Sequence, residues 1–274
     1  MSEDEREERE EREIEERASP AGFIVYKAVR KEGEDELERT SSALFWSGLA
    51  AGLSMGFSFA AQALLHAHLP KTSWTPLITN FGYSLGFLIV VLGRQQLFTE
   101  NTLTVILPLL TRRDGDTLRN VLRLWGVVLF ANLLGAFIFA LALAKTEAFE
   151  PEVYASMHEL ARHAVDGSFA TKLLRGIYAG WLIALMVWLL PFAESARVWV
   201  IGIITYFVGL GGFAHIIAGS VEAFFMTILG KASVAELFMG FIIPALLGNA
   251  IGGVSLVAAI NHAQVVAGSE GADA

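Results

Sequence analysis

Four runs of the chain carry no charged side chain over a length that matches a lipid bilayer. They are residues 43–65, 124–144, 176–193 and 237–260, of 23, 21, 18 and 24 residues. A hydrocarbon core about 30 Å thick takes roughly 20 helical residues, and only a backbone that satisfies its own hydrogen bonds crosses it. Each run is therefore expected to be a transmembrane helix. Two further regions are apolar but interrupted. Residues 77–93 lead into "RQQLFTEN" (94–101) and then into an apolar run of only 8 residues, 103–110. The second region starts at Val198, passes through "VGLGGFAHIIAGSVEAFF" (208–225) and ends in another 8-residue run, 223–230. Eight helical residues rise about 12 Å, too little to cross. Each region is predicted to be one membrane segment broken near its middle, giving six segments with the second and fifth broken.

Charge is confined to one end. Residues 1–40 hold 15 Asp/Glu and 8 Lys/Arg, a net of −7 out of −8 for the whole chain. Residues 1–18 are expected to be an acidic disordered tail, and residues 19–40 a cytoplasmic amphipathic helix. The first transmembrane repeat then covers 41–146, an extracytoplasmic connection 147–169, the second repeat 170–262 and a C-terminal tail 263–274. Arg112, Arg113, Arg119 and Arg123 crowd one short loop, whereas the neighbouring loops carry only Lys71 and Lys231. The arginine-rich loop is expected inside, which places both termini in the cytoplasm of a bacterial inner membrane protein.

Several chemistries are excluded. The chain has no cysteine, hence no disulfide or thiolate site. "HELARH" (158–163) spaces its histidines five apart, not the four of a zinc-binding helix face. "GKAS" (230–233) lacks the upstream glycine of a phosphate-binding loop. No basic face suits nucleic acid. No metal, cofactor or enzymatic activity is expected.

The two halves repeat. "ANLLGAF" (131–137) matches "GNAIGGV" (248–254) at an interval of 117 residues, and the same interval carries Phe98 onto His215. "GLAAG" (48–52) matches "GIYAG" (176–180) more loosely, at a different interval. Three spans per repeat is an odd number, so the second repeat is predicted to be inverted. Paired broken helices in inverted repeats point to a solute pathway at the bilayer midplane. Ionisable groups at that depth mark function by default. The first break offers Arg94, Gln95, Gln96, Thr99, Glu100 and Asn101, and the second offers His215, with Ser220 and Glu222 beyond. Arg94 and Glu100 either pair with each other or meet a solute.

"LFT" (97–99), "GFAHIIAG" (212–219) and "GNAIGG" (248–253) resemble motifs of the formate/nitrite transporter family, in a divergent branch of it. The resemblance covers residues 20–262. It implies an all-α membrane protein with an aquaporin-like arrangement of two inverted three-helix repeats, assembled as a homopentamer with one pore per protomer. It also implies transport of a small monovalent anion such as formate, nitrite or hydrosulfide. In that pattern His215 is the central pore histidine and Thr99 the loop threonine. Leu97, Tyr83 and Phe87, with Val208 or Phe207, line the constrictions. Four polar positions of the pattern are replaced, by Ala164, Gly180, Ala214 and Gly219. Arg94, Glu100 and Glu222 are candidate replacement partners for His215. The alternative reading is a pore for a neutral or different solute, or a membrane sensor on the same scaffold. Deletion of residues 1–18 is expected to leave the oligomer intact, as read by size-exclusion chromatography in detergent.

Overall fold

The computed structural model describes residues 22–270; the acidic stretch 1–18 lies outside the described residues, as do 19–21 and 271–274. Among the described residues all regular structure is helical: α1 (Gly22–Glu38), α2 (Ser41–His68), α3 (Thr75–Thr79), α4 (Ser84–Leu92), α5 (Ile106–Arg112), α6 (Gly115–Lys145), α7 (Pro151–Val165), α8 (Phe169–Leu189), α9 (Arg197–Leu210), α10 (Ile216–Ile228), α11 (Ile243–Ile251) and α12 (Ile260–Glu270). Two π-helical stretches, Glu236–Ile242 and Gly252–Ala259, flank α11 and join it to α12. Five helical runs are long and apolar enough to cross a membrane: Ser41–His68, Thr75–Leu92, Gly115–Lys145, Phe169–Phe192 and Glu236–Ala267. Helix α10 is apolar but has only 13 residues.

The long helices start where a side chain takes up their free amide groups. Thr40 accepts from Ala43 N at 3.3 Å ahead of α2, and Ser168 from Thr171 N at 3.2 Å ahead of α8. Asp114 accepts from Thr117 N at 2.8 Å ahead of α6, and this bond holds its carboxyl below the ordinary value.

Packing in lipid rests on close backbone approach rather than on apolar surface, because lipid tails are as apolar as leucine. Helices α2 and α6 meet at Gly52, where a Cβ would overlap the carbonyl oxygen of Asn132, and at Gly135, where it would lie 2.6 Å from Leu49 O. Helix α8 meets α11 and the π-helical stretch after it in the same manner, Gly180 against the Asn249 carbonyl and Gly252 against that of Ile177. Gly180, a replaced polar position in the family pattern, thus has a packing reason of its own.

Helix α1 buries Tyr26, Val29, Gly33 and Leu37, a stripe at helical spacing. Gly33 sits directly on the Thr104 carbonyl. Tyr26 Oη bonds Thr111 Oγ1 at 2.9 Å and His262 Nδ1 at 2.7 Å. Arg123 donates to the carbonyls of Leu37 (2.8 Å) and Arg39 (2.9 Å). On the opposite end, α7 covers α2 and α10 with Val153, Met157 and Ala161. Large apolar side chains face outward, Trp199 at 70% and Trp46 at 65% exposed, which suits hydrocarbon or a neighbouring protomer rather than water.

Leucine at Gly52 or Gly180 is expected to cost about 2–4 kcal/mol by forcing the helices apart. Leucine at Gly126, which has nothing within 4 Å of an added Cβ, is expected to be neutral. Thermal unfolding in detergent checks both.

Candidate functional site

Two helices stop in the middle of the bundle, and they stop in the same way. At the end of α4, Gly93 N donates to Ile89 O (2.9 Å), Arg94 N to Val91 O (3.2 Å) and Gln95 N to Val90 O (2.9 Å). At the end of α9, Gly211 N donates to Phe207 O (2.9 Å), Gly212 N to Gly209 O (3.0 Å) and Phe213 N to Val208 O (3.0 Å). Arg94 (φ 50°) and Gly212 (φ 59°) hold the left-handed conformation that such a terminus requires. Gly212 adopts it without a steric cost, whereas Arg94 adopts it despite its Cβ.

The chain beyond each stop is non-helical for several residues, and its backbone groups need partners. Two asparagines supply them. Asn132 on α6 donates through Nδ2 to Gly48 O (2.7 Å) and Gln96 O (2.8 Å), and accepts at Oδ1 from Phe98 N (2.9 Å). Asn249 on α11 donates to Gly176 O (2.9 Å) and Ala214 O (2.8 Å), and accepts from Ile216 N (2.8 Å). The two asparagines are 117 residues apart, but the pairs they hold, Gln96/Ala214 and Phe98/Ile216, are 118 apart. The residue enclosed by the first set of bonds is Leu97, and by the second His215. The 117-residue interval that carried Phe98 onto His215 is therefore one residue short here.

Leu97 and His215 are both buried, and so are Tyr83, Phe87, Thr99 and Val208. His215 Nδ1 accepts from Ile217 N (3.3 Å) and Ala218 N (3.2 Å), capping the helix that the residue itself opens. A nitrogen that accepts carries no proton, so the ring is the neutral tautomer with its hydrogen on Nε2. Nε2–H then donates to Thr99 Oγ1 at 2.8 Å. The Phe87 ring stands edge-on to the imidazole at 4.9 Å between centroids, and Tyr83 follows at 5.4 Å. Gly209 faces the Tyr83 ring, and an added Cβ would come within 2.8 Å of it. Of the two candidates on α9, Val208 is fully buried, whereas Phe207 is 53% exposed and leans on Phe213. Phe207 stands apart from the buried set, because a one-residue step on a helix turns a side chain by about 100°.

Arg94 and Glu100 do not pair. Arg94 is exposed at its helix terminus, and with Arg197 it is a cation acting on Glu32 of α1. Glu100 Oε1 is buried and has no hydrogen-bond partner. Behind it Asn101 Nδ2 donates to Gln96 Oε1 (3.0 Å) and Thr104 Oγ1 donates to Asn101 Oδ1 (3.2 Å), so these polar groups serve the loop itself.

An open cavity of about 460 Å³ leads from the α7 face down to His215. Its wall carries two cations absent from the expected set, Lys172 and Arg175, one turn apart at the start of α8. Both were hidden in the sequence because a charge at the end of an apolar run reads as an ordinary membrane-interface residue. Lys172 is 3% exposed, donates to His163 O at 2.5 Å and lies over the Phe241 ring at 5.7 Å. Ala164, one of the replaced polar positions, lines the same wall. Gly219 and Glu222 line it too, as does Glu159, whose carboxyl Lys71 holds below its ordinary value through a 2.9 Å bond. Among the described residues no group of His, Asp and Glu is arranged to hold a metal ion.

An all-helical bundle of apolar spans with an open cavity that reaches the buried His215 is in keeping with a membrane channel or transporter. The chain belongs to the formate/nitrite transporter family, whose model matches residues 24–263. This is a family of transporters, not enzymes. The chain is 37% identical to the inner membrane protein YfdC of Escherichia coli (strain K12), over 96% of its own length and 85% of that protein. It is 22% identical to a formate-nitrite transporter of Plasmodium knowlesi (strain H), over 82% of this chain and 77% of that one. Two solved structures share the fold. A pentameric formate channel with formate bound aligns with TM-score 0.69 and 21% identity, over 82% of this chain and 98% of the other. An FNT family ion channel aligns with TM-score 0.74 and 16% identity, over 86% and 97%.

Alanine at Asn132 or Asn249 removes three hydrogen bonds and strands buried backbone groups, at an expected cost of about 2–3 kcal/mol each. Thermal unfolding is the measurement that checks both.

Proposed function

We propose that the protein is a channel or transporter for a small monovalent anion, with His215 and Thr99 as the pair the anion meets at the narrowest part of the pore. The observation that carries this reading is the bond from Nε2–H of His215, which lines the cavity, to Thr99 Oγ1. A carboxylate or nitrite loses hydration as it passes between Tyr83, Phe87, Leu97 and Val208. Two donors at one point, the imidazole N–H and the threonine O–H, replace part of that water. The positive end of helix α10 points to the same place, which favours negative charge. Lys172 and Arg175 draw anions to the mouth.

The reading includes six membrane segments in two inverted halves. The like-capped ends of α4 and α9 and the like-bonded Asn132 and Asn249 support it. The second segment is α3 to α5 and the fifth α9 to α10, each broken at the site. A homopentamer with one pore per protomer is supported by the outward Trp46 and Trp199 and by the pentameric formate channel of like fold. Both termini are assigned to the cytoplasm by the arginines at 112, 113, 119 and 123. A second reading, a pore for a neutral solute, draws on the balanced charges of the cavity wall, Lys172 and Arg175 against Glu159 and Glu222.

In proteoliposomes, formate or nitrite flux is expected to fall about tenfold in His215→Leu, the equivalent of one charge-assisted hydrogen bond. Thr99→Val should fall less. Glycerol or water conductance without any anion flux would favour the second reading.

A further inference from the structure

The His215 ring is fixed by its own helix, but its partner has no such tether. Among the described residues the Thr99 hydroxyl bonds only His215. The direction of Thr99 therefore comes from its backbone, which a β-branched side chain, stiff at χ1, follows closely. Ahead of Thr99 the loop is held by Asn132, through Phe98 N. Behind it the chain makes a single 3₁₀ turn, Glu100–Thr102, and Thr102 Oγ1 donates back to Thr99 O at 2.7 Å. Thr102 is fully buried, and among the described residues its hydroxyl makes no other bond.

The turn is backed by the last membrane helix. Gly253 lies in the π-helical stretch Gly252–Ala259 and sits directly on Thr102, so that a Cβ at Gly253 would overlap the Thr102 hydroxyl and lie 2.7 Å from the Thr102 Cβ. Its neighbour Gly252 seats the same stretch on the Ile177 carbonyl of α8. A π-helical turn inserts a residue without breaking the helix, and such turns recur at functional sites. The other half of the chain lacks this arrangement. An interval of 118 residues carries Thr102 onto Ser220, whose hydroxyl donates to Ile216 O one turn back within α10, an ordinary bond for a helical serine. There the group to be fixed is His215, and its own Nδ1 fixes it. The interval of 117 residues carries Ala136 onto Gly253, so the bare contact exists only where Thr102 needs it.

We propose that Thr102 is a positioning residue of the pore: seated on Gly253, its hydroxyl holds the Thr99 carbonyl and thereby aims Thr99 Oγ1 at His215. The inference rests on the anion reading above and assigns Thr102 no contact with the solute. Without the bond from Thr102, the peptide plane after Thr99 loses its side-chain tether, and the hydroxyl that meets the anion is presented in more than one direction. A site that must replace lost hydration at one point depends on such a fixed direction.

The experiment measures formate and nitrite flux by the full-length protein in proteoliposomes, per amount of protein that size-exclusion chromatography shows to be assembled. Thr102→Val keeps the shape and removes the donor. Its flux is expected to fall roughly threefold, the equivalent of one neutral hydrogen bond, and no further than that of Thr99→Val. Thr102→Ser keeps the donor and should stay within about twofold of wild type. The double variant Thr99→Val/Thr102→Val should be no slower than Thr99→Val alone, because a residue that acts through Thr99 then has nothing left to position. Losses that multiply in the double variant, or wild-type flux from an assembled Thr102→Val protein, overturn the inference and leave the anion reading standing. Should Thr102→Val not assemble, Thr102→Ala takes its place in the cycle and is judged by the same outcomes. Failure of both to assemble also overturns the inference, making Thr102 a structural residue of the loop. Absence of formate and nitrite flux from wild type overturns the anion reading, and this inference with it.

Discussion

A backbone that leaves the helix in the middle of an apolar bundle must find hydrogen-bond partners where no bulk water reaches. Asn132 and Asn249 meet that requirement, and the rest of the site depends on them. Each amide bridges a facing helix and the chain just past a helix end, through two donors and one acceptor. An amide reaches that far only because the facing helix has glycine at the crossing, Gly52 on one side and Gly180 on the other. Glycine contact, amide reach and fixed loop are successive steps of one arrangement. Its product is the meeting of Thr99 and His215, which are 116 residues apart in sequence.

The same frame holds different chemistry in its two halves. One set of asparagine bonds encloses Leu97, which is apolar, and the other encloses His215. The histidine is further constrained by its own helix. Because Nδ1 takes up the free amides of residues 217 and 218, the only hydrogen left to the ring points at Thr99. A ring held this way is a directed donor to the threonine hydroxyl. Ala214, one of the replaced polar positions, offers the ring no side-chain partner, and the helix amides set the tautomer instead.

Much of this was legible in the sequence. Charge-free length gave the long helices, the repeated small-Asn-Gly pattern gave the two asparagines a shared place, and position within a break singled out His215 and Thr99. Three things were not legible, each for a physical reason. The halves differ by one residue between break and asparagine, and a pattern match on the helix alone does not register that step. Phe207 and Val208 are equally apolar, and only the orientation of α9 decides that Val208 faces inward. Arg94 reads as a buried charge in search of a partner, yet it occupies the left-handed helix end that Gly212 occupies in the other half.

The replaced polar positions take on another meaning once the cavity is known. Gly180 belongs to the crossing with Asn249, and a side chain there would part the helices that hold His215. Ala164 leaves the wall to Lys172, which reaches it from the next helix. Gly219 leaves the face of α10 open down to Glu222. The ammonium of Lys172 is tied to a carbonyl and an aromatic face, neither of which carries a net charge. Glu222 makes no hydrogen bond or salt bridge among the described residues, and Lys172 acts on it only through its charge. Had the two closed into a salt bridge, each would have cancelled the other and fixed the wall in one charge state. They form no such bridge, and both line the cavity.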